Sequence, residues 1–256
     1  MIFSSHGISN TFRYLVKDII NLIPNSKVES KLERKGIRDV INDLAYERSC
    51  NNYLFFDCHK HIDLFMWLCK SPNGPSIKFQ VKDVHTTQEL RLQGNCLLYS
   101  RPLLSFDAAF DKEPHLKLAK EMFIHVFNTP KNHPKSKPFI DHVISFNYLN
   151  GSVYFRVYQV CNQEESMFTE KDDVDKLVLI EIGPRMTLQP VKMFDGSLGG
   201  QALWQNSKFI TPAKMRGKAM SRFVQKREKD LGKKRDKKRL LKEGQDGDAY
   251  IESAFE

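Results

Sequence analysis

Residues 139–160 read FIDHVISFNYLNGSVYFRVYQV. Two runs rich in aromatic and β-branched residues, Phe139–Tyr148 and Ser152–Val160, flank Asn150-Gly151. Residues of this kind favour strands. Asn-Gly supplies the positive φ values that a tight hairpin turn needs. It is the strongest hairpin signal in the chain. Alternation then puts Tyr154, Arg156 and Tyr158 on one face of the second strand, where rings and a guanidinium can meet bases.

Working outward, Pro114 opens a helix whose apolar positions are Leu116, Leu118, Ala119, Met122, Phe123, Val126 and Phe127. Thr129-Pro130 ends it. A basic, proline-punctuated loop carrying Lys131, His133, Lys135 and Lys137 leads into the hairpin, and such loops stay at the surface. Leu103–Phe106 is a short apolar run ahead of the helix. After the hairpin comes a polar, acidic loop over about 162–175. Leu177–Ile182 and Met186–Phe194 read as two more strands around Gly183-Pro184.

The first part of the chain follows a similar order. Ile2 and Phe3 are apolar. Phe12, Leu15, Val16, Ile19 and Ile23 recur at helical spacing until Pro24. Ile37, Val40, Ile41 and Leu44 mark a second helix. Tyr53–Asp57 reads as a buried strand. Asp63–Ser71 and Ser76–Val84 flank Pro72-Asn73-Gly74-Pro75 as a second hairpin, with a helical turn series over Ile62–Cys69 as the alternative. In the run after the turn Ile77, Phe79 and Val81 face one way, and Lys78, Gln80 and Lys82 the other. Each half therefore reads as strand, helix, polar loop, then paired strands, without obvious similarity of sequence. After Gly199-Gly200 the hydrophobic period is lost.

Composition sets the class. Apolar residues make up 41% and charged residues 28% of 256, ordinary for a globular protein large enough to fold without disulfides. The longest apolar runs, Leu64–Cys69 and Leu177–Ile182, are far shorter than the roughly 20 residues of a spanning helix. The residues after Met1 lack the pattern of a secretory signal. Five irregularly spaced cysteines read as reduced intracellular thiols. The net charge of +9 is uneven: residues 214–242 hold 14 basic and 3 acidic side chains, and residues 243–256 hold 5 acidic and no basic ones. Such a cationic segment favours polyanions, because each phosphate contact releases counterions. Little in it can bury a core, so it is expected to be disordered when free. Lys233-Lys234-Arg235 and Lys237-Lys238-Arg239 also fit a nuclear-import signal.

Signs of catalysis are weak. Cys58, His59 and His61, with Asp63 close by, lack a second ligand pair at zinc spacing, and the bland reading is a strand edge and its exit. No Gly-x-Ser-x-Gly elbow, Walker loop or dinucleotide fingerprint is present. Asp195-Gly196-Ser197-Leu198-Gly199-Gly200 reads as a structural turn before a phosphate cradle. Asp107, Asp111 and Asp141 have no spacing that argues for acid–base work. No enzyme activity, metal, cofactor or small-molecule substrate is expected.

Several segments together resemble the Brix domain. They are Lys70–Phe79, His85-Thr86 with Glu89–Cys96, Ser100–Asp107, His133–His142, Glu181–Arg185 and Phe194–Gly200. The resemblance covers about residues 1–212. It implies a mixed α/β fold of two similar halves, each like an anticodon-binding domain, drawn here as 1–105 and 106–212 and followed by the tail, 213–256. It implies a nucleolar factor that binds precursor rRNA during assembly of the large (60S) subunit, beside a protein partner of the EBNA-binding-protein type. The residues expected to contact RNA are Lys78, Lys82, Arg101, Lys131, Lys135, Lys137, Arg156 and Arg185 in the body. In the tail they are Lys214, Arg216, Lys218, Arg222, Lys226, Arg227, Lys233, Lys234, Arg235, Lys237, Lys238 and Arg239. The competing reading is a protein-interaction module in a nuclear ribonucleoprotein whose tail binds RNA nonspecifically. An apolar patch on the body without adjacent lysines would distinguish it.

Overall fold

The structure is a computed structural model that describes residues 1–32, 36–130, 133–137, 139–162 and 177–254, the last twenty or so in backbone only. Residues Met1–Ser207 form one compact unit and Lys208–Glu256 another.

The first unit is built on one ten-stranded mixed sheet. Strand β1 (Ile2–Ser4) is followed by helices α1 (Asn10–Leu22) and α2 (Ile37–Glu47), then by β2 (Asn52–His59), β3 (Asp63–Lys70) and β4 (Ser76–His85). A short helix α3 (Thr87–Leu90) leads to β5 (Pro102–Phe106), α4 (Pro114–Phe127), β6 (His142–Leu149), β7 (Ser152–Asn162), β8 (Leu177–Glu181), β9 (Arg185–Gly196) and β10 (Gly199–Gln205). The strand order is β1-β2-β3-β4-β9-β7-β6-β5, with β10 added on β9 and β8 on β7.

This order repeats itself about its middle. β1 pairs with β2 in parallel, and β3 and β4 follow antiparallel. β5 pairs with β6 in parallel, and β7 and β9 follow antiparallel. The last strands of the two series meet along β4 and β9, with Ser76 opposite Phe194 and Lys82 opposite Thr187. Because β5 belongs to the second series, we propose to draw the seam between halves just before Pro102 rather than after residue 105.

Helix spacing explains the layers. In α1, Leu15, Ile19 and Leu22 share a buried stripe, and in α4 Leu116, Ala119, Met122, Phe123, Val126 and Phe127 do. Both stripes close one continuous core on one face of the sheet, against Phe56, Met66, Phe79, Phe146, Phe155 and Leu188. Phe123, Phe127, Phe146 and Phe155 interlock there, Phe123 and Phe146 with ring centroids 4.5 Å apart. Such pairs each add about 0.5–1.5 kcal/mol beyond the area they bury. On the opposite face, α2 sets Ile41 and Ala45 on Phe3, Tyr53, Phe55, Trp67 and Cys69. That second core lies on β1–β3 and takes from the second half only Leu198, with Phe194 packed at its edge.

The turns show which glycines are needed and why. At the β6–β7 hairpin, Asn150 has φ 52° and Gly151 φ 76°, the positive pair expected from Asn-Gly. The strand before it starts at His142, later than Phe139, because residues 139–141 serve a loop: Arg101 N–H donates to the Phe139 carbonyl. At the Pro72–Pro75 turn only Gly74 is positive, at φ 85°. A Cβ there would lie 2.2 Å from the Asp195 carbonyl oxygen, so this glycine also serves a close approach of β9. The β2–β3 turn, which the sequence does not announce, uses Lys60 at φ 52° and His61 at φ 60° without glycine. Of the run Ile62–Cys69, everything from Asp63 on is strand and not helical turns, and Ile62 belongs to the β2–β3 turn. The chain after Gly199-Gly200 is a further strand, β10, which the sequence reading misses: its residues are mostly exposed, so no period of burial marks it.

The tail is a single helix α5 (Pro212–Ala254), exposed through nearly all of its described side chains. Its Lys, Arg, Glu and Leu content is compatible with a helix, and it shows no apolar stripe that could seal a core. No helix among the described residues is long and apolar enough to cross a membrane.

Candidate nucleic-acid interface

Alternation along three neighbouring strands, β4, β9 and β7, builds one surface on the face opposite α1 and α4. Ile77, Phe79 and Val81 of β4 enter the core, which turns Lys78, Gln80 and Lys82 outward. Val153, Phe155 and Val157 of β7 do the same for Tyr154, Arg156 and Tyr158. Met186 and Leu188 of β9 turn Arg185, Thr187 and Gln189 outward, and beyond an irregularity near Pro190 Lys192 follows them. Within the Met1–Ser207 body, α2 covers the β1–β3 end of this face and touches the β9–β10 turn, where Ser197 Oγ donates to Asn42 Oδ1 at 3.1 Å.

The side chains form a mixed cationic and aromatic layer. Lys78 lies with its Nζ 4.5 Å from the Phe65 ring centroid and 4.9 Å from that of Trp67. Directly opposite on β9, Lys192 lies 5.2 Å from Phe194, whose ring stacks on Trp67 at 5.7 Å. Two ammonium groups on facing positions repel each other, and the ring faces beneath them offset part of that cost. Lys82 donates to Gln189 Oε1 at 2.7 Å. The Arg156 guanidinium lies 5.9 Å from the Tyr154 ring. Arg185 grips Glu181 with two nitrogens, one at 2.6 Å, while Arg156 Nε stands 3.8 Å from the same carboxylate. The hydrogen bonds it donates to Glu181 raise the Arg185 pKa above its ordinary value. Glu181 thus partly neutralises the arginine pair.

Of the residues singled out in the sequence, Lys78, Lys82, Arg156 and Arg185 come together on this face. Arg101, Lys135 and Lys137 form a separate group where β5 and β6 begin, joined by the hydrogen bond from Lys137 N–H to the Tyr99 carbonyl. Lys131 lies outside the described residues. Lys214, Arg216, Lys218, Arg222, Lys226, Arg227, Lys233 and Lys234 are exposed on α5. Lys214, Lys218, Arg222 and Lys226 recur at spacings of four and so share one stripe. Arg235, Lys237, Lys238 and Arg239 lie where only the backbone is described. Lys192 was missed, because its partnership with Lys78 depends on a strand pairing across more than a hundred residues.

The remaining candidate sites resolve as structure. Cys58 is buried in the core while His59 points the other way, its Nε2 2.7 Å from Asp57 Oδ2. Among the described residues no group of three or more His, Cys, Asp or Glu could hold a metal. The segment Asp195–Gly200 is the β9–β10 turn, with Gly196 opposite Gly199 and Leu198 buried in the second core.

Compared with known protein families, the chain matches the Brix domain over residues 5–192. The chain belongs to the Brix family. Two relatives show how far the similarity extends. The human protein named ribosome biogenesis protein BRX1 homolog (Homo sapiens) is 41% identical over 268 residues, covering 100% of this chain and 71% of that protein. The Saccharomyces cerevisiae ribosome biogenesis protein BRX1 is 41% identical over 212 residues, covering 83% of this chain and 73% of that protein. A crystal structure of a probable ribosomal biogenesis protein from Aeropyrum pernix K1 is 13% identical at a TM-score of 0.47, covering 73% of this chain and 93% of that one. The Brix match spans both halves of the sheet and so takes in β4, β7 and most of β9, the strands of the cationic face.

Proposed function

We propose that this Brix-family chain is a ribosome biogenesis factor that binds precursor rRNA of the large (60S) subunit and acts by docking, without catalysis. The observation that supports the RNA part is the cationic sheet face of the Met1–Ser207 body, where Lys78, Lys82, Arg156, Arg185 and Lys192 stand with the half-exposed rings of Tyr154 and Tyr158. Ammonium and guanidinium groups meet phosphates, and rings accept splayed bases. The tail helix adds a longer-range, salt-dependent attraction that does not depend on base sequence. In this reading the protein works in the nucleolus beside assembly-factor proteins, one of them of the EBNA-binding-protein type.

A second reading, a protein-docking module, has one feature in its favour. Leu97, Leu98, Tyr99, Leu103, Phe139 and Ile140 are all large, apolar and exposed. Arg101, Lys135 and Lys137 lie among them, however, so this is not the lysine-free patch that would distinguish the reading.

The test is ultraviolet crosslinking in cells, sequencing RNA attached to the full chain and to a Lys78→Glu/Lys192→Glu variant. The expected result is a focused peak on large-subunit precursor rRNA that the variant loses. Diffuse RNA equally attached to both would overturn the reading and favour the docking module.

A further inference from the structure

The two halves of the sheet treat their outer edges differently. β1 stands at one end of the strand order and β5 at the other. On its inner side β1 continues into Ser5, whose N–H donates to the Phe56 carbonyl, and β5 into Asp107, whose N–H donates to the Phe146 carbonyl. That shared bond makes Ile2 the counterpart of Leu104 and Met1 the counterpart of Leu103. Backbone groups alternate in direction along a paired strand, so Ile2 and Leu104 both turn theirs outward.

At Ile2 the outward groups are taken. Its N–H donates to the Lys27 carbonyl at 2.8 Å, and its carbonyl accepts from Glu29 N–H at 3.0 Å. Leu32 N–H then donates to the Ser4 carbonyl at 3.1 Å. The stretch after α1 thus adds a parallel strip to the edge, bridged at Val28 and Leu32. The stretch after α4 takes the other route. Lys137 N–H donates to the Tyr99 carbonyl and Arg101 N–H to the Phe139 carbonyl, which carries that stretch past the inner side. Among the described residues nothing pairs with the outer side of β5.

An open edge is normally guarded by a charge, a bulge or a proline. β5 has proline at its first position only, followed by Leu103-Leu104-Ser105-Phe106. Leu103 is 52% exposed, whereas its counterpart Met1 is 8% exposed. The charge where β5 begins is basic. Arg101, Lys135 and Lys137 gather there, and the carboxylate of Asp141 is engaged by Leu97 N–H and His142 Nδ1. Such an end favours acidic residues on whatever docks.

We infer that β5 receives an extended segment of a protein partner, added in parallel as residues 27–32 add to β1, with acidic residues ahead of an alternating apolar stretch. Its backbone brackets Leu104 as Lys27 and Glu29 bracket Ile2, and its apolar side chains cover Leu103. Main-chain bonds give such docking its affinity, and the side-chain pattern gives its specificity. The inference rests on the assembly-factor part of the proposed function and is independent of where RNA binds.

The test begins with hydrogen exchange on the full chain alone. The amide of Leu104 should exchange quickly and that of the inward-turned Ser105 slowly. Protection at Leu104 without a partner would show that the chain itself or a second copy fills the edge, and would overturn the inference. Calorimetric titration then uses the synthetic peptide Glu-Glu-Asp-Val-Thr-Val-Thr-Val, which should bind and protect the Leu104 amide. N-methylating its Val-Thr stretch should weaken binding about tenfold or more, through lost main-chain bonds. Leu103→Glu, at an exposed side chain, should weaken it about tenfold with the thermal midpoint unchanged. Binding that ignores N-methylation is charge attraction alone and would overturn the inference, as would a peptide that does not bind. Neither result alters the RNA crosslinks, so this inference and the RNA reading fail separately.

Discussion

The two halves of the sheet share a plan and differ in what covers it. Each begins with a parallel pair joined through a helix and continues as an antiparallel run, and α1 and α4 pack on the same face. Among the described residues, only the first half has a second helix, α2, on the other side, over Phe55 and Trp67. In the second half no described helix of the body covers the equivalent surface, which carries Tyr154, Arg156 and Tyr158. The shared face is where the halves are held together. The unshared one is where they diverge, and there apolar residues under a helix give way to charge and half-exposed rings.

The comparison can be broken at several points. The largest effect is expected in the shared core. Phe155→Ala should cost about 3–5 kcal/mol, because the ring is fully buried among other phenylalanines. Chemical denaturation reads this, and a loss under about 1 kcal/mol would mean the second half is not packed as described. Gly74→Ala should cost about 3 kcal/mol, since it combines a positive φ with a clash against β9. Gly151→Ala meets nothing within 4 Å and should cost only about 1 kcal/mol, the conformational strain alone. Equal losses for the two glycines would argue that β4 and β9 do not meet there.

The uncovered face is tested by affinity. Lys78→Glu/Lys192→Glu should weaken binding to single-stranded RNA by about tenfold or more and flatten its salt dependence, with the thermal midpoint little changed. A smaller change, about fivefold, is expected from Tyr158→Ala, the low end of the stacking a base on that ring contributes. Ending the chain at Ser207 should lower the salt slope further without moving the crosslinked rRNA peak. A slope that stays the same would remove the tail from the mechanism.

Much of this was legible in the sequence because it is local. Pro114 and the spacing of Leu116, Ala119, Phe123 and Phe127 mark α4, and Asn150-Gly151 fixes a hairpin with its register. Alternation correctly turned Lys78 and Arg156 away from the core. What could not be read is what distant strands do to one another. Lys192 gains significance only from facing Lys78, and Gly74 only from facing Asp195. β10 was hidden because an exposed strand has no hydrophobic period, and the β2–β3 turn because Lys60 and His61 take conformations usually left to glycine or asparagine.

The β4–β9 seam also sets an order of events during synthesis. Lys78 leaves the translating ribosome long before Lys192, and the two come to face each other only after nearly the whole body has emerged. Pairings this far apart form late, since closing so long a loop costs chain entropy before any contact repays it. A half-made chain therefore has no complete polyanion face. On the proposed RNA-binding reading, attraction through this surface therefore arises only with the completed body.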